Sequence, residues 1–171
     1  MDFERAARFW DEKAAAEPLE QKMPRAELEA KLDAFLAAHQ TLALATGSGD
    51  RLRCTLLEYL WYEGRIYIFT EGGHKFDGLA RNARVAAAVY EPYAGMGRLA
   101  SVQIAGTASV IDPESPTYRT LCAARGIGEA AFKALPTPLY LLEIRLAQVE
   151  LLFSEFQKAG YSSRQHLAVK A

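Results

Sequence analysis

The chain has 171 residues, a formal net charge of −1, and hydrophobic and charged fractions of 50% and 24%. That is the make-up of one ordinary globular domain with room for a sizeable core. Near-neutral charge, with a pI of about 6.3, gives no bulk electrostatic case for nucleic acid, and no apolar run reaches the roughly 18 residues of a membrane span.

The first residues, MDFERAARFWDEK, mix acids and bases and lack the apolar centre of a signal peptide. Phe3, Ala6, Ala7, Phe9 and Trp10 recur among the charges and predict an amphipathic helix over 2–16 that packs or forms an interface. Pro18 breaks it. Pro24 suits a first helical turn, and Leu28, Leu32, Phe35 and Leu36 then predict a second, stronger helix running to His39. Residues 42–46 read as a short strand and 47–50, Gly-Ser-Gly-Asp, as a turn.

Residues 53–62 mix alternation with β-branched and aromatic types, Glu63-Gly64 is a turn signal, and 65–70 alternate again. Together they predict a β-hairpin. Gly72, Gly73, His74 and Lys75 follow and open a helix over about 75–82. Backbone N–H groups at a helix start, with a lysine, suit a phosphate. Arg53, placed by that hairpin opposite the end of the second strand, would supply a second cation. The residues alone slightly favour a plain hairpin with a solvated lysine, because glycine-lysine turns are common.

Residues 85–90 are nearly all apolar and predict a strand buried on both faces. Residues 91–97 predict a loop. Residues 99–111 predict a long strand with Val102, Ile104, Ala108 and Val110 on one face and polar residues on the other, with a bulge or close approach at Gly106. Helices are expected over 116–125 and 129–135, and strands over 139–146 and 148–153. The tail, 154–171, is polar without a clear period. About seven mostly antiparallel strands with peripheral helices make a mainly β, α+β barrel. His39, His74 and His166 lack metal-like spacing, so no metal site is expected. Cys54 and Cys122 form no metal-spaced pair, and the expected compartment is the cytoplasm.

RCTLLE at 53–58, IYIFT at 66–70, HKFDGLARNARVAAAVY at 74–90 and SVQIAGTASVI at 101–111 occur in the order and spacing of a known group. The chain resembles the FMN-binding split β-barrel superfamily, that of pyridoxamine phosphate oxidase and its relatives, over about residues 35–155. The resemblance implies a split barrel over 41–155; the helices expected over 1–40, packing on that barrel, and the tail over 156–171 lie outside it. It implies a homodimer with FMN at the interface. Arg53 and Lys75 would hold the FMN phosphate, with His74 as a further phosphate ligand. Cys54, Thr55, Leu56, Leu57 and Glu58 would run along the flavin, Phe69 and Thr70 would contact it, and Ser101 and Gln103 would come from the other subunit. No catalytic acid or base is implied.

Two departures bear on substrate. Glu58 stands where the oxidase has a lysine for the substrate phosphate, and a carboxylate there repels that phosphate. The oxidase's C-terminal arginine–histidine motif has no evident counterpart. The expected function is therefore an FMN-dependent oxidoreductase other than a pyridoxamine phosphate oxidase. A haem-binding or haem-degrading relative and a non-enzymatic FMN or electron-transfer module remain the alternatives.

Overall fold

In the computed structural model, which describes residues 2–16, 18, 21–128 and 139–169, eight strands form one antiparallel sheet curled into a half-barrel. The elements are α1 (Phe3–Ala15), α2 (Arg25–Ala38), β1 (Thr41–Ser48), β2 (Arg51–Glu58), β3 (Leu60–Tyr62), β4 (Arg65–Thr70), α3 (Lys75–Leu79), β5 (Arg84–Tyr90), β6 (Ala100–Ile111), α4 (Pro116–Ala124), β7 (Tyr140–Phe153) and β8 (Arg164–Ala168). The sheet order is β2-β1-β5-β6-β7-β4-β3, with β8 on β7. The helix expected over 129–135 lies outside the described residues.

The core lies on the concave side. Leu44, Ile66, Ile68, Val102, Ile144 and Leu151 are fully buried there, and α2 covers them with Leu28, Leu32, Phe35 and Leu36. A second, smaller cluster lies across the sheet, where α4 lays Tyr118, Leu121 and Cys122 against Tyr67 and Leu141. This explains why β7 reads as apolar at both Leu141 and Leu142: helices or strands cover both of its faces.

The sequence predicts one hairpin from 53–62 with 65–70; the structure has two pairings. Only β3 pairs with β4, across a turn in which Glu63 and Gly64 both have positive φ (47° and 71°), as the two-residue I′ turn requires. β2 pairs with β1 along its whole length, Arg53 opposite Thr46. The break is at Tyr59. Its N–H turns to the carbonyl of Gln40 (2.8 Å), and its hydroxyl is buried against the carbonyl of Leu36 (2.8 Å).

Other elements shift for similar reasons. The strands expected over 139–146 and 148–153 are one, β7, in which Ala147 is the extra residue of a bulge opposite Ala105 and Gly106. The carbonyl freed there accepts from Val169 N–H (2.9 Å). β5 is buried on one face only, because Ala86 and Tyr90 are exposed. Val110, placed on the inward face, is exposed, although Ala108 two residues earlier on that face still packs against the core. In α1, Phe3 and Phe9 are exposed, and Asp11 borders the sheet beside Ala45 and Cys54. The tail contains β8, with Gln165 and Leu167 buried. No helix among the described residues is long and apolar enough to cross a membrane.

Candidate functional site

Two glycines bring α3 to the sheet. A Cβ at Gly78 would lie 3.0 Å from the backbone N of Gly47 in β1, and the Asn82 amide donates to the Gly47 carbonyl (3.0 Å). The five-residue α3 is therefore clamped backbone to backbone against the end of β1. Gly72 and Gly73 precede it with φ of 106° and 90°, a region that side chains other than glycine rarely adopt. They let the chain turn sharply from β4 into α3, and Gly72 N–H caps onto the Thr70 hydroxyl (3.3 Å).

The Lys75 side chain folds back under this turn. It is 6% exposed and donates to the carbonyl of Gly72. Burial, and after it the charge of Arg53, hold its pKa below the usual lysine range. Arg53 thus does reach Lys75, by a route the expected hairpin did not contain. The β1–β2 pair delivers Arg53, and the packing of α3 on β1 delivers Lys75. With only five residues in α3, side-chain cations supply the positive field here.

Between these elements lies a cleft of about 210 Å³, with Arg51, Arg53, His74 and Arg81 in its wall. Asp77, the acid beside it, is engaged by His74 (3.2 Å). Among the described residues neither Arg53 nor Lys75 is paired with a carboxylate. Sequence reasoning named Arg53, His74 and Lys75 but missed Arg51 and Arg81. The signal for Arg51 was present, since it shares a face of β2 with Arg53 at a spacing of two residues.

Alternation along β2 splits the remaining expected residues. Thr55 and Leu57 share the face of Arg53 and are partly buried, while Leu56 and Cys54 are exposed on the other face. The Thr55 Oγ1 is buried with no hydrogen-bond partner. Arg53 and Cys54 both border a second hollow of about 510 Å³, with Ala45, Asn82 and Arg84. Beyond it, on the outer sheet face, a broad groove of about 740 Å³ runs past Cys54, Ala45, Ala86, Gln103 and His166. Gln103 donates there to Glu150 (3.3 Å), and Ser101 is half-buried on the same strand.

Two of the expected residues also make contacts on the α4 side, although Phe69 borders a hollow with Thr70, Gly72 and Gly73. Phe69 packs edge-on to Tyr118, ring centres 5.9 Å apart, on the α4 side of the sheet. Glu58 is held by Arg125 just past α4, Nη1 to Oε1 at 2.5 Å. The position that carries a substrate-binding cation in the oxidase is here a carboxylate already neutralised by an arginine. Arg164 and His166, within the tail that showed no clear period, lie in β8 beside Glu150.

Similar solved structures carry the same fold. An FAD-binding protein from Mesorhizobium loti matches with a TM-score of 0.58 and 20% identity over 71% of this chain and 89% of that one. The haem storage protein HutZ of Vibrio cholerae matches with a TM-score of 0.60 and 18% identity over 74% and 96%. General stress protein 26 of Bacillus anthracis matches with a TM-score of 0.58 and 15% identity over 84% and 99%. Among curated proteins there is no match. The family described as pyridoxamine 5'-phosphate oxidase matches residues 28–153, a span that runs from α2 to the end of β7 and takes in every residue of the cleft. This chain belongs to that family and has its split-barrel fold.

Proposed function

We propose that the protein is an FMN-dependent oxidoreductase whose cofactor phosphate sits between Arg53 and Lys75. The observation that carries this reading is Lys75 itself: an ammonium buried to 6% exposure beside a second cation, with no carboxylate partner. A buried charge left unpaired is costly, and a phosphate dianion is the counter-charge that fits both groups. The residues present suit the rest of the cofactor's polar end. The unpartnered Thr55 hydroxyl lies two residues along the face of Arg53, and His74 lines the same cleft.

Bound there, the isoalloxazine supplies the redox chemistry, and the protein binds and orients it. Arg53 borders both the phosphate cleft and the hollow shared with Cys54, so a ligand anchored at the cleft extends onto the outer sheet face past Cys54 towards Gln103 and Ser101. That face leaves Leu52 86%, Leu56 75% and Tyr90 60% exposed. A second copy of the chain covers it in a two-fold homodimer. Pyridoxamine phosphate is not the substrate, because Glu58 and Arg125 satisfy each other where that phosphate would need a free cation.

The test is a titration of the purified chain with FMN and with riboflavin, which has the ring and no phosphate. Arg53→Ala and Lys75→Ala each weaken FMN roughly tenfold to a hundredfold, corresponding to about 1.5–3 kcal/mol per charge-assisted contact. Riboflavin binds the parent weakly and is nearly indifferent to both changes. FMN affinity unchanged in both variants overturns the assignment. A haem titration with a Soret band and no flavin binding replaces it with a haem protein.

A further inference from the structure

The cleft holds more cation than one phosphate uses. A phosphate monoester offers three terminal oxygens, and Arg53, Lys75 and His74 suffice for them. Arg51 and Arg81 line the same cleft and are left over. Arg51 is two residues from Arg53 on one strand face, a separation of about 7 Å, towards the β1–β2 turn. Arg81 reaches the cleft from the segment after α3.

None of these three arginines is paired with an acid among the described residues, whereas Arg25, Arg65, Arg125 and Arg145 each hold a glutamate. Asp77, the acidic residue lining the cleft, is engaged by His74. Three guanidiniums lining one cleft with a single carboxylate, itself engaged by His74, carry an excess of positive charge. Their planar forks match phosphate oxygens two at a time. Arg51 and Arg53 stand about 7 Å apart along β2, a spacing that suits two adjacent phosphoryl groups better than one.

We propose that Arg51 and Arg81 bind a second phosphoryl group, next to the one gripped by Arg53 and Lys75. This rests on the flavin reading for the first phosphate. The ligand class is a diphosphate-bearing dinucleotide: either the flavin carries both phosphates, or a dinucleotide electron donor places its own phosphate beside that of FMN.

The experiment measures binding of inorganic phosphate and inorganic pyrophosphate to the full chain by calorimetry, in the parent, Arg51→Ala and Arg81→Ala. Pyrophosphate is expected to bind at least tenfold tighter than phosphate. Each substitution is expected to cut pyrophosphate affinity about tenfold and phosphate affinity by less than about twofold. Equal affinities in the parent overturn the proposal, as does an equal loss for both anions in the variants.

A second arm compares FAD with FMN. FAD binding tighter than FMN, with the gain lost in Arg51→Ala, assigns the second group to the flavin. Equal affinity for the two flavins, with the pyrophosphate preference intact, assigns it to a separate dinucleotide. If neither flavin binds, the flavin reading fails, and the pyrophosphate comparison still decides the second phosphoryl site.

Discussion

The Arg53 guanidinium on β2 lies close enough to the Lys75 ammonium on α3 for its charge to act on it, and neither is paired to a carboxylate among the described residues. Folding brings them together against their repulsion. Burial of Lys75, and then the Arg53 charge, lower the lysine pKa.

That relationship sets a pH dependence. Lys75 must be protonated to attract phosphate, and its pKa in the free protein lies below the ordinary value of about 10.4. FMN affinity should therefore fall as pH rises through that lowered value, earlier than a free lysine would dictate. In Arg53→Ala the repulsion is gone, so the falling limb should move to higher pH, although affinity is lower throughout. The same shift has a stability consequence in the free protein. The unfolded chain keeps the Lys75 proton to higher pH than the folded one, so stability rises between the two pKa values. Fluorescence titration of FMN from about pH 7 to about pH 10 checks the binding limb; identical limbs in parent and variant would count against the coupling.

Gly78→Ala should loosen the cleft. Its Cβ would meet Gly47 backbone N at 3.0 Å, and backbone cannot swing aside as a side-chain tip can. Alanine gains up to about 1 kcal/mol in helix propensity, while overpacking costs about 1–3 kcal/mol. The expected result is a net loss near 1 kcal/mol and weaker FMN binding, because α3 carries Lys75. Gly97 has open space around it, so Gly97→Ala is the control and should stay within about 0.5 kcal/mol. Thermal melts of both variants, with FMN titrations, provide the comparison.

Glu58 and Arg125 predict the substrate outcome. The parent should not oxidise pyridoxamine phosphate at ordinary enzyme rates. Glu58→Lys removes a partly exposed ion pair and sets a lysine against Arg125, so it should cost up to about 1 kcal/mol and restore little turnover by itself. Adding Arg125→Ala removes the repulsion and should bring detectable phosphate-substrate binding. Robust pyridoxal phosphate formation by the parent refutes the reading.

Glu143 should govern acid stability. It is 2% exposed and accepts from Arg65 (2.9 Å), Tyr67 (3.1 Å) and Arg145 (2.5 Å). Burial alone would raise its pKa, but the hydrogen bonds from Arg145 and Arg65 outweigh it and hold the carboxyl below the usual range. Its contribution is thus present above the unfolded value of about 4.3 and is lost as pH falls through the lower folded value. Glu143→Ala should cost about 2 kcal/mol near neutral pH, since the two arginines can still reach water. Denaturant melts at about pH 7 and below about pH 4 should show this gap narrow in acid.

Local periodicity recorded which residues face inward, and so the sequence by itself determined most of the strands, α2 and the turn at Glu63-Gly64. Register and partner choice depend on contacts distant in the chain. Tyr59 continues the apolar pattern of 53–62, yet its burial under α2 ends β2 and sends that strand to β1. β8 was hidden because one of its two inward residues is polar. Gln165 is 3% exposed, and its amide is satisfied by Met23 N–H, the Gln21 carbonyl and the Ser162 carbonyl. The approach of α3 to β1 at Gly47 and Gly78, the convergence of Arg51 and Arg81 on one cleft, and the neutralisation of Glu58 by Arg125 are all long-range. Only tertiary packing could decide them, because each joins segments that carry no local mark of the other.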